Sequence, residues 1–122
     1  MVLIEKRDPP TKEDNFGPFK IITLTHGKYA QVSPEDFNDL NKYHWQSRKS
    51  QCRYYAMRKL VSNGYERWIR MHRQVANTQK GFITHHKNRN TLDNRRKNLR
   101  NMLPMEHRAL HLHESMQRIN ET

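Results

Sequence analysis

The chain has 122 residues, about one domain's length, and only 34% of them are hydrophobic, so its core is small and a bound metal or partner can supply part of the stability. Residues 1–40 hold 5 basic and 7 acidic side chains, net −2, whereas residues 41–122 hold 18 basic and 5 acidic, net +13; that field favours a polyanion such as DNA, RNA or an anionic surface. No apolar run approaches the ~18 residues of a membrane span, and the single Cys52 excludes an intramolecular disulfide and a cysteine-based zinc finger.

Residues 1–18 mix charges with Pro9-Pro10 and Gly17-Pro18 and are expected to be a flexible arm. The first residues, Met1 to Glu5, lack a signal-peptide pattern, so a soluble protein of a reducing compartment is expected. Residues 19–70 are predicted as a β-rich lobe. Within it, residues 19–33 read as a hairpin turning at His26-Gly27. Ser33-Pro34-Glu35-Asp36 predicts a short helix with a serine N-cap, proline at its first position and acids in its first turn, ending near Tyr43. Two strands follow at 53–61 and 65–71, joined by Asn63-Gly64, a strong hairpin signal. They carry Tyr54, Tyr55, Tyr65 and Trp68 among Arg53, Arg58, Lys59, Arg67 and Arg70. One face of this ribbon either lies on DNA or is a solvated face over packed aromatics.

Residues 71–77 predict one or two helical turns, 82–85 a short strand, 87–98 a polar loop and 99–103 a return strand. Residues 104–120 are the clearest helix, with proline at the first position and no later glycine or proline. The fold class expected is α+β.

Five of the eight histidines lie between positions 85 and 113. His107 and His111, four apart on a helix, project from one side and can share a metal ion. His85 and His86 are adjacent at a strand end and point to opposite faces. One of them can join the metal while the other enters a neighbouring cleft. A metal beside a free imidazole suits phosphodiester hydrolysis, because the metal neutralises charge and a neutral imidazole accepts a proton from water. The competing reading is a solvated basic helix with no metal. On the same helix Met105, Ala109, Leu112, Met116 and Ile119 form an apolar stripe roughly opposite His107 and His111. If the histidines face inward, that stripe needs cover from the N-terminal lobe or a second subunit, so a homodimer through this face is one candidate assembly. His113 falls off the histidine face and reads as a surface residue.

Met71-His72-Arg73, followed by Thr84-His85-His86-Lys87-Asn88-Arg89-Asn90-Thr91-Leu92-Asp93-Asn94-Arg95-Arg96-Lys97-Asn98-Leu99-Arg100, resembles the HNH nucleases, also called ββα-metal or His-Me finger nucleases, of the phage and intron-encoded type. The resemblance covers about residues 71–111. It implies a DNA-docking lobe over 19–70 and, over 71–122, a ββα-metal finger with its C-terminal helix. It makes His86 the general base, Asn98 the asparagine that braces the loop and orients the base, and His107 a metal ligand. Two positions depart from the usual pattern. His85 replaces an aspartate, as in the colicin-type members, so that His85, His107 and His111 resemble their three-histidine metal site. Arg89 replaces a glycine, which adopts φ > 0 cheaply as arginine does not; Arg89 offers a phosphate contact instead.

The function implied is that of a metal-dependent DNA endonuclease, nicking one strand or cutting two, that leaves 5′-phosphate and 3′-hydroxyl ends in the cytoplasm of a bacterial or phage-infected cell. The cofactor expected is one divalent ion per finger, Mn, Co, Ni, Zn or Mg, with a transition metal favoured by three imidazoles. Arg58, Arg70, Arg73, Lys87, Arg89, Arg95, Arg96, Lys97 and Arg100 are the expected contacts to double-stranded DNA. The alternatives are a non-catalytic nucleic-acid-binding module that keeps the finger as structure and a basic RNA-binding protein without metal.

Overall fold

Alternation along residues 29–32 turns Ala30 and Val32 inward and leaves Tyr29 exposed, the period-two pattern of a strand with one buried face. The computed structural model of the chain describes residues 9–120, and the side chains of 118–120 lie outside that description. Strands β1 (Lys12–Asp14), β2 (Gly17–Thr23) and β3 (Tyr29–Val32) form an antiparallel meander. The His26-Gly27 turn between β2 and β3 has φ of 61° and 69°. Helix α1 (Phe37–Leu40), entered through a 3-10 turn at Pro34–Asp36, buries Phe37 and Leu40 in the core. Ser33 does not cap it; its Oγ accepts the Arg96 amide at 3.0 Å instead.

A second antiparallel sheet follows, β4 (Gln46–Ser50), β5 (Arg53–Ser62) and β6 (Tyr65–Arg70), with β5 in the centre. The Asn63-Gly64 turn has φ of 51° and 79°, the left-handed pair of a two-residue hairpin. Strand β4 is an addition to the expected elements. Its turn, Gln51-Cys52, adopts the same left-handed pair at 49° and 67° with residues that seldom do so, so no turn signal marked it.

Helix α2 (Met71–Val75) leads to β7 (Ile83–His86), β8 (Asp93–Asn94), a 3-10 turn at Arg96–Asn98, β9 (Leu99–Met102) and helix α3 (Pro104–Asn120). Strands β7 and β9 pair antiparallel, and α3 packs against β7. The expected α+β class holds, with the C-terminal helix in place. Among the described residues no helix is long and apolar enough to cross a membrane.

Two expectations about organisation change. Residues 12–18 are strand and turn rather than flexible arm, because the Asp14 carboxylate takes both terminal nitrogens of Arg95, at 2.7 and 3.1 Å. Residues 1–8 lie outside the described residues. The polar loop 87–98 contains β8, which pairs in parallel with β3 through Gln31–Asp93 and Val32–Asn94. That pairing binds the C-terminal segment to the N-terminal one. The core does the same: Ile22, Leu24, Val32, Phe37, Leu40, Trp45, Ala56 and Met71 form one cluster, with Val75 and Leu92 packed on it. Residues 19–70 and residues 71–120 therefore share one core.

Candidate metal centre and adjoining cleft

His85 and His86 are neighbours on β7 and project to opposite faces of the β7–β9 pair. His85 meets α3: its ring centroid lies 5.3 Å from that of His107 and 5.9 Å from that of His111. One ring nitrogen from each of these three histidines lies within 4.8 Å of the others, and His107 Nε2 and His111 Nε2 are 3.0 Å apart. The donor chemistry fits a metal. At metal–nitrogen distances of ~2.0–2.1 Å, two imidazoles at a tetrahedral angle sit about 3.3 Å apart. Burial, with His107 next, lowers the His85 pKa below 6.5, and burial followed by His111 lowers that of His107. Both rings therefore stay neutral near pH 7 and keep a lone pair for an ion.

This geometry decides between the two faces of α3. The histidines face the hairpin, and the stripe faces solvent: Met105, Leu112 and Met116 are 80%, 63% and 56% exposed. Ile119 lies outside the described side chains. His113 is exposed, as expected.

On the other face of β7, His86 is 7% exposed and its Nε2 meets Asn94 Oδ1 at 2.9 Å. An amide oxygen only accepts, so that ring nitrogen carries the hydrogen and Nδ1 retains the lone pair. Burial lowers the pKa of His86, keeping the ring in the form that accepts a proton. His72 packs against it, with centroids 5.0 Å apart and nearly perpendicular, and Tyr55 packs on both rings. Burial, then the charge of His86, pushes the His72 pKa down to about 3. The two sets of histidines line one cleft of about 750 Å³.

Sequence reasoning missed His72, Asn94 and Tyr55. The first two lie inside the quoted motif without a role. They become visible only when α2 turns His72 inward and the β3–β8 pairing sets Asn94 behind the ring. Tyr55 shares a sheet face with Arg48, Lys59, Trp68 and Arg70, because directly opposed residues point the same way.

Asn98 is fully buried and ties the loop together. Its Oδ1 accepts the Asn88 amide at 2.9 Å, and its Nδ2 donates to Asp93 O at 2.7 Å and Asn88 Oδ1 at 2.9 Å. The residue that touches His86 is Asn94, not Asn98. Asn98→Ala leaves the buried Asp93 carbonyl without its donor, at a cost of about 1–3 kcal/mol, and frees the Asn88 amide at an exposed position. The variant is expected to melt lower and to lose turnover while binding metal within threefold of wild type by calorimetry. Loss of metal affinity at unchanged turnover would make Asn98 part of the ligand shell.

The basic residues divide. Arg70 lies over the Tyr55 ring and lines the cleft, as do Arg89 and Arg73. Arg73 also donates to the carbonyls of Phe82 and Gln79, at 2.8 and 3.1 Å, and so holds the loop before β7. Lys87, Lys97 and Arg100 are exposed, and register puts Arg100 on the His85 face. Arg96 is exposed but bound to Asp36. Arg58 points to the opposite sheet face, against Tyr43, Trp45 and Gln74, away from the cleft. Arg95 corrects the expectation of a DNA contact. It is 4% exposed, and its five N–H donors go to Asp93, Asp14 and Gly17 O.

Comparison with protein-family models, with curated proteins and with solved structures finds no match to this chain.

Proposed function

We propose that the protein is a metal-dependent DNA endonuclease of HNH type. The observation that carries this reading is the pairing across one strand: three imidazoles able to hold one ion on one face of β7, and a neutral, oriented imidazole on the other. The motif resemblance over residues 71–111 and the net charge of +13 over 41–122 support it.

In this reading His85, His107 and His111 hold the ion. A divalent ion bound there supplies positive charge beside the scissile phosphate and the departing 3′ oxygen. His86 takes a proton from water as the water oxygen bonds to phosphorus and the bond from phosphorus to the 3′ oxygen breaks. A proton from solvent completes the 3′-hydroxyl, and the other end keeps the 5′-phosphate. Asn94 fixes the ring of His86, and His72 and Tyr55 wall the cleft around it. Arg70, Lys87, Lys97 and Arg100 bind backbone phosphates, which gives affinity rather than sequence choice.

The test is cleavage of supercoiled plasmid with a panel of divalent ions. Three imidazoles without a carboxylate suit transition metals, whereas Mg prefers oxygen ligands. Mn, Co or Ni is therefore expected to support activity at lower concentration than Mg, and His85→Asp is expected to move the preference toward Mg. Identical ion profiles for the two proteins would remove His85 from the metal site. Retained DNA binding without cleavage by any ion would make the chain a non-catalytic nucleic-acid-binding module.

A further inference from the structure

Arg89 occupies a backbone conformation that suits its residue type poorly. Its φ is +65°, in the left-handed region that an L side chain enters against steric resistance. Three contacts hold it there. Its amide donates to His86 O at 3.0 Å, its carbonyl accepts Arg53 Nη1 at 2.8 Å, and its guanidinium pairs with Glu114. Glu114 follows His111 by three residues on α3, so His107, His111 and Glu114 share one helix face. The Arg89 guanidinium holds the Glu114 carboxyl below the usual range. Arg89 is thus tied by its backbone to the strand of the base and by its side chain to the helix of the metal ligands.

Stability does not account for an arginine here. The Arg89 and Glu114 side chains are 37% and 26% exposed, and partly exposed ion pairs contribute little, while the left-handed backbone opposes the residue. What the arrangement does supply is a fixed cation at the cleft. Of the arginines that line it, Arg73 donates to loop carbonyls, Arg53 to the Arg89 carbonyl, and Arg70 lies over Tyr55. A guanidinium presents five donors in a planar fork. Among the described residues Glu114 engages one terminal nitrogen, leaving the rest of the fork for the two non-bridging oxygens of a phosphodiester.

Resting on the nuclease reading, we propose that Arg89 is a catalytic residue that grips the scissile phosphate as its charge rises in the transition state, and that Glu114 is its positioning residue.

The test compares wild type with Arg89→Gly, Arg89→Lys, Glu114→Ala and Glu114→Gln. For each, plasmid cleavage in Mn gives kcat and KM, calorimetry gives Ni affinity, and a thermal melt gives stability. Arg89→Gly relieves the backbone, so it is expected to melt within a few degrees of wild type and bind Ni equally. Its kcat is expected to fall about 10²–10³-fold, the scale for one lost donor to transition-state charge. Arg89→Lys keeps the charge without the fork and should fall between the two. Glu114→Ala should lower kcat with little change in KM, and Glu114→Gln, which keeps an acceptor for Arg89, should restore most of it. Cleavage by Arg89→Gly within threefold of wild type, or a loss that follows Ni affinity or melting temperature, overturns the catalytic role. Faster cleavage by Glu114→Ala would make Glu114 a competitor for Arg89 and overturn its positioning role. No cleavage by wild type in any ion overturns the nuclease reading and this proposal together; a wild type that cuts beside an equally active Arg89→Gly overturns this proposal alone.

Discussion

Replacing His86 with alanine is expected to abolish plasmid cleavage while leaving metal binding intact. Loss of a general base costs ~10²–10⁴-fold in rate. The separation of the two effects follows from β7: His86 faces Asn94, His72 and Tyr55, whereas His85 faces His107 and His111. Removing one ring therefore leaves the ligand set on the other face untouched. Cleavage rate, metal content and melting temperature are to be measured on the same preparations. A variant that cuts within a few-fold of wild type with normal metal content would remove His86 from the chemistry. One that loses metal together with activity would mean that the two faces of the strand are not independent.

Arg95→Ala is expected to produce the largest loss of stability of any basic substitution in the loop. Asp93 is wholly buried, and the Arg95 guanidinium meets both of its oxygens, at 2.9 and 2.7 Å. Asp14 and Gly17 O take the remaining donors, and the rings of Phe16 and Phe19 flank the cation at 4.9 and 5.1 Å. Without it the Asp93 carboxylate keeps, among the described residues, only the Asn88 side-chain amide and a long bond from a backbone amide. Breaking a buried pair by removing one partner costs about 3–5 kcal/mol, which for a domain of this size lowers the melting temperature on the order of 10–20 °C. Lys97→Ala, at an exposed position in the same loop, should stay within ~0.5 kcal/mol of wild type. Thermal melts of the two variants decide the matter. An Arg95→Ala protein that melts like wild type but binds DNA less tightly would return Arg95 to the DNA-contacting set.

Much of the site is written in local order. The spacing of His107 and His111 puts both on one side of a helix, and adjacency of His85 and His86 puts them on opposite faces of a strand. Both follow from backbone geometry that any helix or strand imposes. The hairpin at Asn63-Gly64 and the long helix from Pro104 are legible for the same reason, since turn chemistry and capping act over a few residues.

Other features depended on partners far away in the chain. Nothing near Arg95 distinguishes it from Arg96 or Lys97; it is buried because Asp14, 81 residues earlier, meets it there. Nothing around Asn94 says that it holds His86 until β8 pairs with β3. Two residues in left-handed turns, Gln51 and Cys52, concealed β4 because their conformation is imposed by the pairing of β4 with β5 and not by their own preference. Local spacing thus determined which side chains could act together, by fixing the direction in which each one projects. Only the tertiary structure decided which of the charged and polar groups are buried, because burying such a group requires a partner for each donor and acceptor, and here those partners lie up to 81 residues apart.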